Sequence, residues 1–226
     1  MGMINTLKYK FTNKGSVLFI AGAPLSGKST ITSLLAQQIE DSCIQHMDII
    51  RLISQQIESL KPRSARNELV YLGSTDAYKK IGTGEYSKEN LIAGYRLYSD
   101  GVVQHFLPIL DKLNDQDVST LIIEGVQILP SLIEKYTNLQ NFYYVLITAS
   151  PDGYKIHLDK LFKSLYLKNK YSVSKLIAIQ EYLIKEVELL PESKKTIIKN
   201  EKDLGFVVSA ILQKLKDRNF IEDILL

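Results

Sequence analysis

The chain has 226 residues, 45% of them hydrophobic, and a net charge of +3. That suits a single α/β domain with an ample core. The lysines are scattered and no apolar stretch approaches the ~20 residues of a membrane span, so neither a nucleic-acid nor a membrane partner is called for. Cys43 stands alone, which excludes an intramolecular disulfide, and its apolar surroundings predict a core thiol. The N-terminal residues lack the apolar region of a signal peptide, and the expected location is the cytoplasm.

Along the chain, Ser16–Ala21 is an apolar run of strand type, and Lys28–Glu40 carries apolar residues at helical spacing. Between them lies G-x-x-x-x-G-K-S, with candidate nucleotide-binding residues Gly22, Ala23, Pro24, Leu25, Ser26, Gly27, Lys28, Ser29 and Thr30. A strand, a glycine loop and a helix in that order form a phosphate-binding site. The two glycines let successive N–H groups turn inward at a helix N-terminus. Lys28 can then reach the β- and γ-phosphates of ATP, and the Ser29 hydroxyl can ligate Mg²⁺.

The second strand, Ser42–Met47, leads into Asp48 and a helix over Ile49–Leu60. An acid at the carboxyl end of a parallel strand can take the proton of an attacking hydroxyl or hold Mg²⁺ through water. Arg51, one turn on, can grip an anionic acceptor by paired hydrogen bonds. The alternative leaves Asp48 as a helix cap and Arg51 as a surface charge. Residues 61–87, with Pro62, Gly73, Gly82 and Gly84, predict a loop-rich segment that could wall a substrate pocket.

A long helix is expected over Lys88–Leu113, with Gly94, Gly101 and Pro108 as breakers and a bend near Leu107. The third strand, Thr120–Glu124, ends in an acid at a Walker B position, where it can orient the hydration shell of Mg²⁺ near Ser29. Gly125 after it predicts close approach of backbone to substrate. A fourth strand spans Phe142–Thr148, a helix roughly Pro151–Lys168, and a basic segment over 151–171 (Lys155, Lys160, Lys163, Lys168, Lys170) is the lid candidate. A helix over Ser174–Leu189, a strand over Lys195–Lys199 and a helix over Leu204–Lys216 complete the alternation. His46, His105 and His157 lack zinc spacing and read as structural or surface residues, and the tyrosines Tyr71, Tyr78, Tyr86, Tyr95 and Tyr98 read as packing, with room for some of them to line the pocket.

Taken together, the phosphate loop, Asp48-Ile-Ile-Arg51, Ile92-Ala-Gly94-Tyr95, Ile122-Ile-Glu124-Gly125-Val126 and Ile179-Gln180-Glu-Tyr182-Leu183 resemble the 2-phosphoglycerate kinases, from about Leu18 to Ile198. Gln127 and the lysines after strand four stand where members of that family carry His and arginines. With the strand and helix alternation, the resemblance implies a three-layer P-loop kinase fold. Its five-stranded parallel sheet would have the order 2-3-1-4-5, with a lid after strand 4 and one kinase domain over residues 1–226. It implies ATP and Mg²⁺ as cofactors and a small phosphorylated or carboxylated acceptor. Lys28, Asp48 and Arg51 are then the catalytic residues, and Ser29, Asp48 and Glu124 the metal-binding ones. Two other functions remain open from the residues: a kinase of another sugar, nucleoside or nucleotide, and a non-catalytic ATP-binding switch. An oligomer is compatible with either.

Overall fold

The strands are short and apolar because both faces of the sheet are covered. The computed structural model describes residues 8–113, 120–161, 172–201 and 203–224. Its strands are β1 Lys8–Phe11, β2 Val17–Ala21, β3 Cys43–His46, β4 Leu121–Gly125, β5 Phe142–Thr148, β6 Lys195–Lys199 and β7 Ile221–Ile224. Its helices are α1 Lys28–Ala36, α2 Met47–Leu60, α3 Lys88–Val103, α4 Leu107–Leu113, α5 Pro130–Tyr136, α6 Pro151–Leu161, α7 Val173–Glu188 and α8 Leu204–Asp217. Residues 61–87 hold three short 3₁₀ turns, as their loop character predicts. No helix among the described residues is long and apolar enough to cross a membrane.

Strands β2 to β6 form one parallel sheet in the order β3-β4-β2-β5-β6. Counted from the first strand of the sheet, that is the expected 2-3-1-4-5. Alternate residues of the strands enter opposite cores. Phe19, Ile123, Tyr144 and Leu146 pack with residues of α2 to α7. Leu18, Ile20, Ile122, Val145 and Ile147 pack with Ile31 and Leu35 of α1 and with Val207, Ile211 and Leu215 of α8. The result is three layers, with the carboxyl ends of the strands converging where the phosphate loop lies.

The structure adds one unexpected element and corrects the readings of Cys43 and of the long helix. β1 and β7, unforeseen, pair antiparallel as a two-stranded ribbon, closed by the Phe11 and Phe220 rings at 5.4 Å. Cys43 is exposed rather than in the core, because β3 is the edge strand of its sheet. The long helix does not bend but breaks at 104–106. Pro108 lacks an N–H and its ring would strike the carbonyl of Gln104, so it fits only in the first turn of a new helix. Gly94 and Gly101 break nothing. A Cβ on Gly94 would lie 2.4 Å from Tyr78 N, and one on Gly101 2.3 Å from Asn67 Nδ2. Their missing side chains let the loop-rich segment pack directly on α3.

Candidate active site

The phosphate loop leaves β2 at Ala21 and enters α1 at Lys28. Gly27 takes a φ of 88° that L side chains rarely adopt, and it caps α1 without any side-chain hydrogen bond. Leu25 also sits in the left-handed region, at φ 65°. The N–H groups at the start of α1 are thus left for an anion, and no carboxylate occupies the first turn. Lys28 is half-buried overall, yet its ammonium lies among enough protein atoms that desolvation holds its pKa below the usual lysine range. The charges of Glu124 and Asp48 oppose that shift.

Glu124, 4% exposed at the end of β4, is satisfied on both oxygens. Ser29 Oγ donates to Oε2 at 3.0 Å, and His46 Nδ1 lies 3.1 Å from Oε1. His46, read from the sequence as structural or surface, therefore touches the site. Serine hydroxyl and carboxylate are hard oxygen donors that suit Mg²⁺. Among the described residues no three His, Cys, Asp or Glu side chains cluster as a metal cage. Gly125 approaches protein rather than an open space: a Cβ there would meet Met47 Cβ at 2.5 Å and Gln127 Oε1 at 2.7 Å.

Asp48 is not a helix cap. α2 begins at Met47 and is capped by His46 without a side-chain bond, so Asp48 lies inside the first turn. Its side chain is 79% exposed, with Arg51 Nε at 3.9 Å and Gln127 Nε2 at 3.4 Å from Oδ1. Gln127 is fully buried and also donates to Tyr98 OH at 2.8 Å. Lys28, Asp48, Arg51 and Tyr98 share one cavity of about 260 Å³ with Leu72–Thr75 of the loop-rich segment. The three proposed catalytic side chains thus meet at one place, and residues 72–75 do line it. Tyr98 is one of the tyrosines that line the pocket rather than only pack; no local pattern could have joined it to Asp48, fifty residues away.

A second cavity of about 530 Å³ opens on the other side of the loop, lined by Gly27, Thr30, Gly153, His157, Asn200 and Leu204 among others. His157 Nδ1 lies 2.7 Å from Leu25 O, and Asn200 Nδ2 donates to Ser26 O at 2.9 Å. Lys160 lines this cavity, whereas Lys155 pairs with Asp152 at 3.2 Å. The remaining lid lysines, Lys163, Lys168 and Lys170, lie outside the described residues.

No protein-family model matches the chain, and no curated protein matches it by sequence. Solved structures do. A sugar kinase from Janibacter sp., in its unliganded form, superposes with a TM-score of 0.53 at 12% identity, over 89% of this chain and 94% of its own. A gluconokinase from Sinorhizobium meliloti gives a TM-score of 0.50 at 11% identity, over 91% of this chain and 94% of its own. The chain shares the fold of these two kinases. At such identities the likeness speaks for the arrangement of the chain and leaves the chemistry to be argued from the site.

Proposed function

We propose that the protein is an ATP-dependent kinase that transfers the γ-phosphoryl group to a hydroxyl of a small anionic metabolite, with 2-phosphoglycerate as acceptor and 2,3-bisphosphoglycerate as product. One observation carries the reading: Lys28, Asp48 and Arg51 line a single polar cavity on the strand-end side of the phosphate loop. A protein that only sensed a nucleotide would need no acid and no guanidinium there. The larger cavity across the loop then takes the nucleoside, so donor and acceptor approach the loop from opposite sides.

In this reading the loop N–H groups and Lys28 hold the phosphates, and Ser29 with Glu124 holds the hydrated Mg²⁺. The bound metal ion supplies neutralisation of charge on the phosphoryl oxygens. Asp48 receives the proton of the acceptor hydroxyl as the new O–P bond forms and the bond to the β-phosphate oxygen breaks, leaving ADP. Arg51 grips the acceptor's phosphate or carboxylate. The whole chain serves as one kinase domain, with no nucleic-acid or membrane partner.

The choice of 2-phosphoglycerate rests on the resemblance of the Glu124-Gly125-Val126 and Ile179–Leu183 segments. A second reading has its own support. Besides Lys28, the lining of the acceptor cavity among the described residues has Arg51 as its cation, with hydroxyls from Ser74, Thr75 and Tyr98. A polyol with one anionic group, a sugar acid, fits that lining. Purified protein with Mg²⁺-ATP and a panel of phosphorylated hydroxy acids, sugar acids, sugars and nucleosides tests both. Acceptor-dependent ADP formation is expected, with 2-phosphoglycerate the best substrate; ADP release indifferent to every acceptor would contradict the kinase.

A further inference from the structure

A loop that aims its N–H groups inward must aim carbonyls outward, and those carbonyls need donors of their own. Here two consecutive outward carbonyls, of Leu25 and Ser26, meet two side chains from distant parts of the chain. His157 Nδ1 lies 2.7 Å from Leu25 O, and Asn200 Nδ2 donates to Ser26 O at 2.9 Å. A carbonyl can only accept, so Nδ1 of His157 carries the proton of this bond. Leu25 is held at φ 65°. A non-glycine residue in that region persists only where its surroundings impose it.

Both side chains are themselves anchored to the end of β5. Asn200 N donates to Thr148 O at 2.8 Å. One residue on, Ala149 is gripped by the buried amide of Gln180 in α7: Ala149 N donates to Oε1 at 2.8 Å, and Nε2 donates to Ala149 O at 3.0 Å. Tyr154, fully buried in α6 one turn before His157, donates to the same Oε1 at 2.8 Å. Gln180 belongs to the Ile-Gln-Glu-Tyr-Leu segment, for which the reaction itself gives no use. Gly27 completes the arrangement, since a Cβ there would lie 2.2 Å from Asn200 Nδ2.

We propose that His157 and Asn200 are positioning residues of the phosphate loop: they clamp the carbonyls of Leu25 and Ser26 from behind, rooted through Gln180, and so keep the loop N–H groups aimed at the β-phosphate before ligand arrives. The inference rests on the nucleotide-binding part of the proposed function and on nothing about the acceptor. It makes a distinction that a plain role in lining the nucleoside cavity does not. Losing the clamp weakens ligands that carry a β-phosphate and spares those that lack one.

The test is binding of ATP and of AMP, each with Mg²⁺ and without acceptor, measured calorimetrically on the whole protein. His157→Gln moves the amide donor one atom too far out, and Asn200→Leu removes the donor. Each is expected to weaken ATP about tenfold, the effect of one lost hydrogen bond, and to leave AMP within about twofold. His157→Asn places an N–H where Nδ1 stands and is expected to restore ATP binding, which separates a lost donor from a damaged fold. Equal losses for ATP and AMP, or ATP binding unchanged in both His157→Gln and Asn200→Leu, would overturn the clamp while leaving the kinase intact. A parent protein that binds no ATP would overturn the nucleotide reading itself.

Discussion

Ser29 Oγ donates to Glu124 Oε2 at 3.0 Å, so the first residue of α1 beyond the loop lysine is tied directly to the carboxyl end of β4. The two strands behind them, β2 and β4, are neighbours in the sheet, with Ala21 opposite Gly125. The phosphate loop carries the chain from Ala21 to α1, so the loop together with the sheet register brings the hydroxyl to the carboxylate, and the proposed magnesium site needs such a fixed pair of oxygens.

Glu124→Gln keeps the shape of that pair and removes its charge. The Mg²⁺ concentration for half-maximal rate is expected to rise at least tenfold, with little change in acceptor KM. A magnesium titration of initial rates checks this, and an unchanged curve would return Glu124 to a structural role.

Lys28→Ala removes the loop's own cation, which the proposed function assigns to the phosphates. The turnover number is expected to fall by roughly a hundredfold or more, about 3 kcal/mol of transition-state stabilisation. Turnover near the parent's would take the phosphate loop out of the mechanism.

Much of this was legible in the sequence, for a physical reason. Strands buried on both faces read as unbroken apolar runs, so Val17–Ala21, Leu121–Gly125 and Phe142–Thr148 stood out with little error at their ends. The phosphate loop after β2, Asp48 after β3 and Glu124 near the end of β4 were singled out by their position in such a sheet. The ribbon of β1 and β7 was invisible because each strand has four residues and finds its partner some two hundred positions away. Cys43 misled because an edge strand can carry apolar residues without burying all of them. The contacts of His46 with Glu124 and of His157 with Leu25 join residues 78 and 132 positions apart, beyond any local pattern.

Glu58 offers a prediction about stability. Its side chain is fully buried at the end of α2, accepts from Lys61 Nζ at 2.6 Å and from Asn67 N at 2.7 Å, and lies 3.6 Å from His105. Burial alone would raise its pKa, but the Asn67 N–H and the Lys61 ammonium outweigh it and hold the carboxyl below the ordinary 4.5. A carboxyl whose folded pKa is depressed contributes stability above its unfolded pKa and loses it as pH falls through the folded one. Denaturant melts are therefore expected to show the parent losing stability below about pH 4.5. Glu58→Gln should be less stable at pH 7 and flatter across that window. Parallel pH profiles for the two proteins would contradict the assignment.

Arg51→Lys probes the grip on the acceptor. Lysine keeps the charge but not the fork, so acceptor KM is expected to rise roughly ten- to a hundredfold, the 1.5–3 kcal/mol of a charge-assisted contact. The ATP KM should stay near the parent's. Equal effects on both substrates would remove Arg51 from the acceptor side.

The central claim is that Asp48 serves phosphoryl transfer in a cavity separate from the nucleotide's. The direct measurement is steady-state turnover of Asp48→Asn with the best acceptor, alongside ATP affinity measured by calorimetry. The account predicts that kcat collapses by at least a hundredfold, an order set by general-base catalysis, while ATP binds as it does to the parent. Full phosphoryl transfer by Asp48→Asn would contradict it.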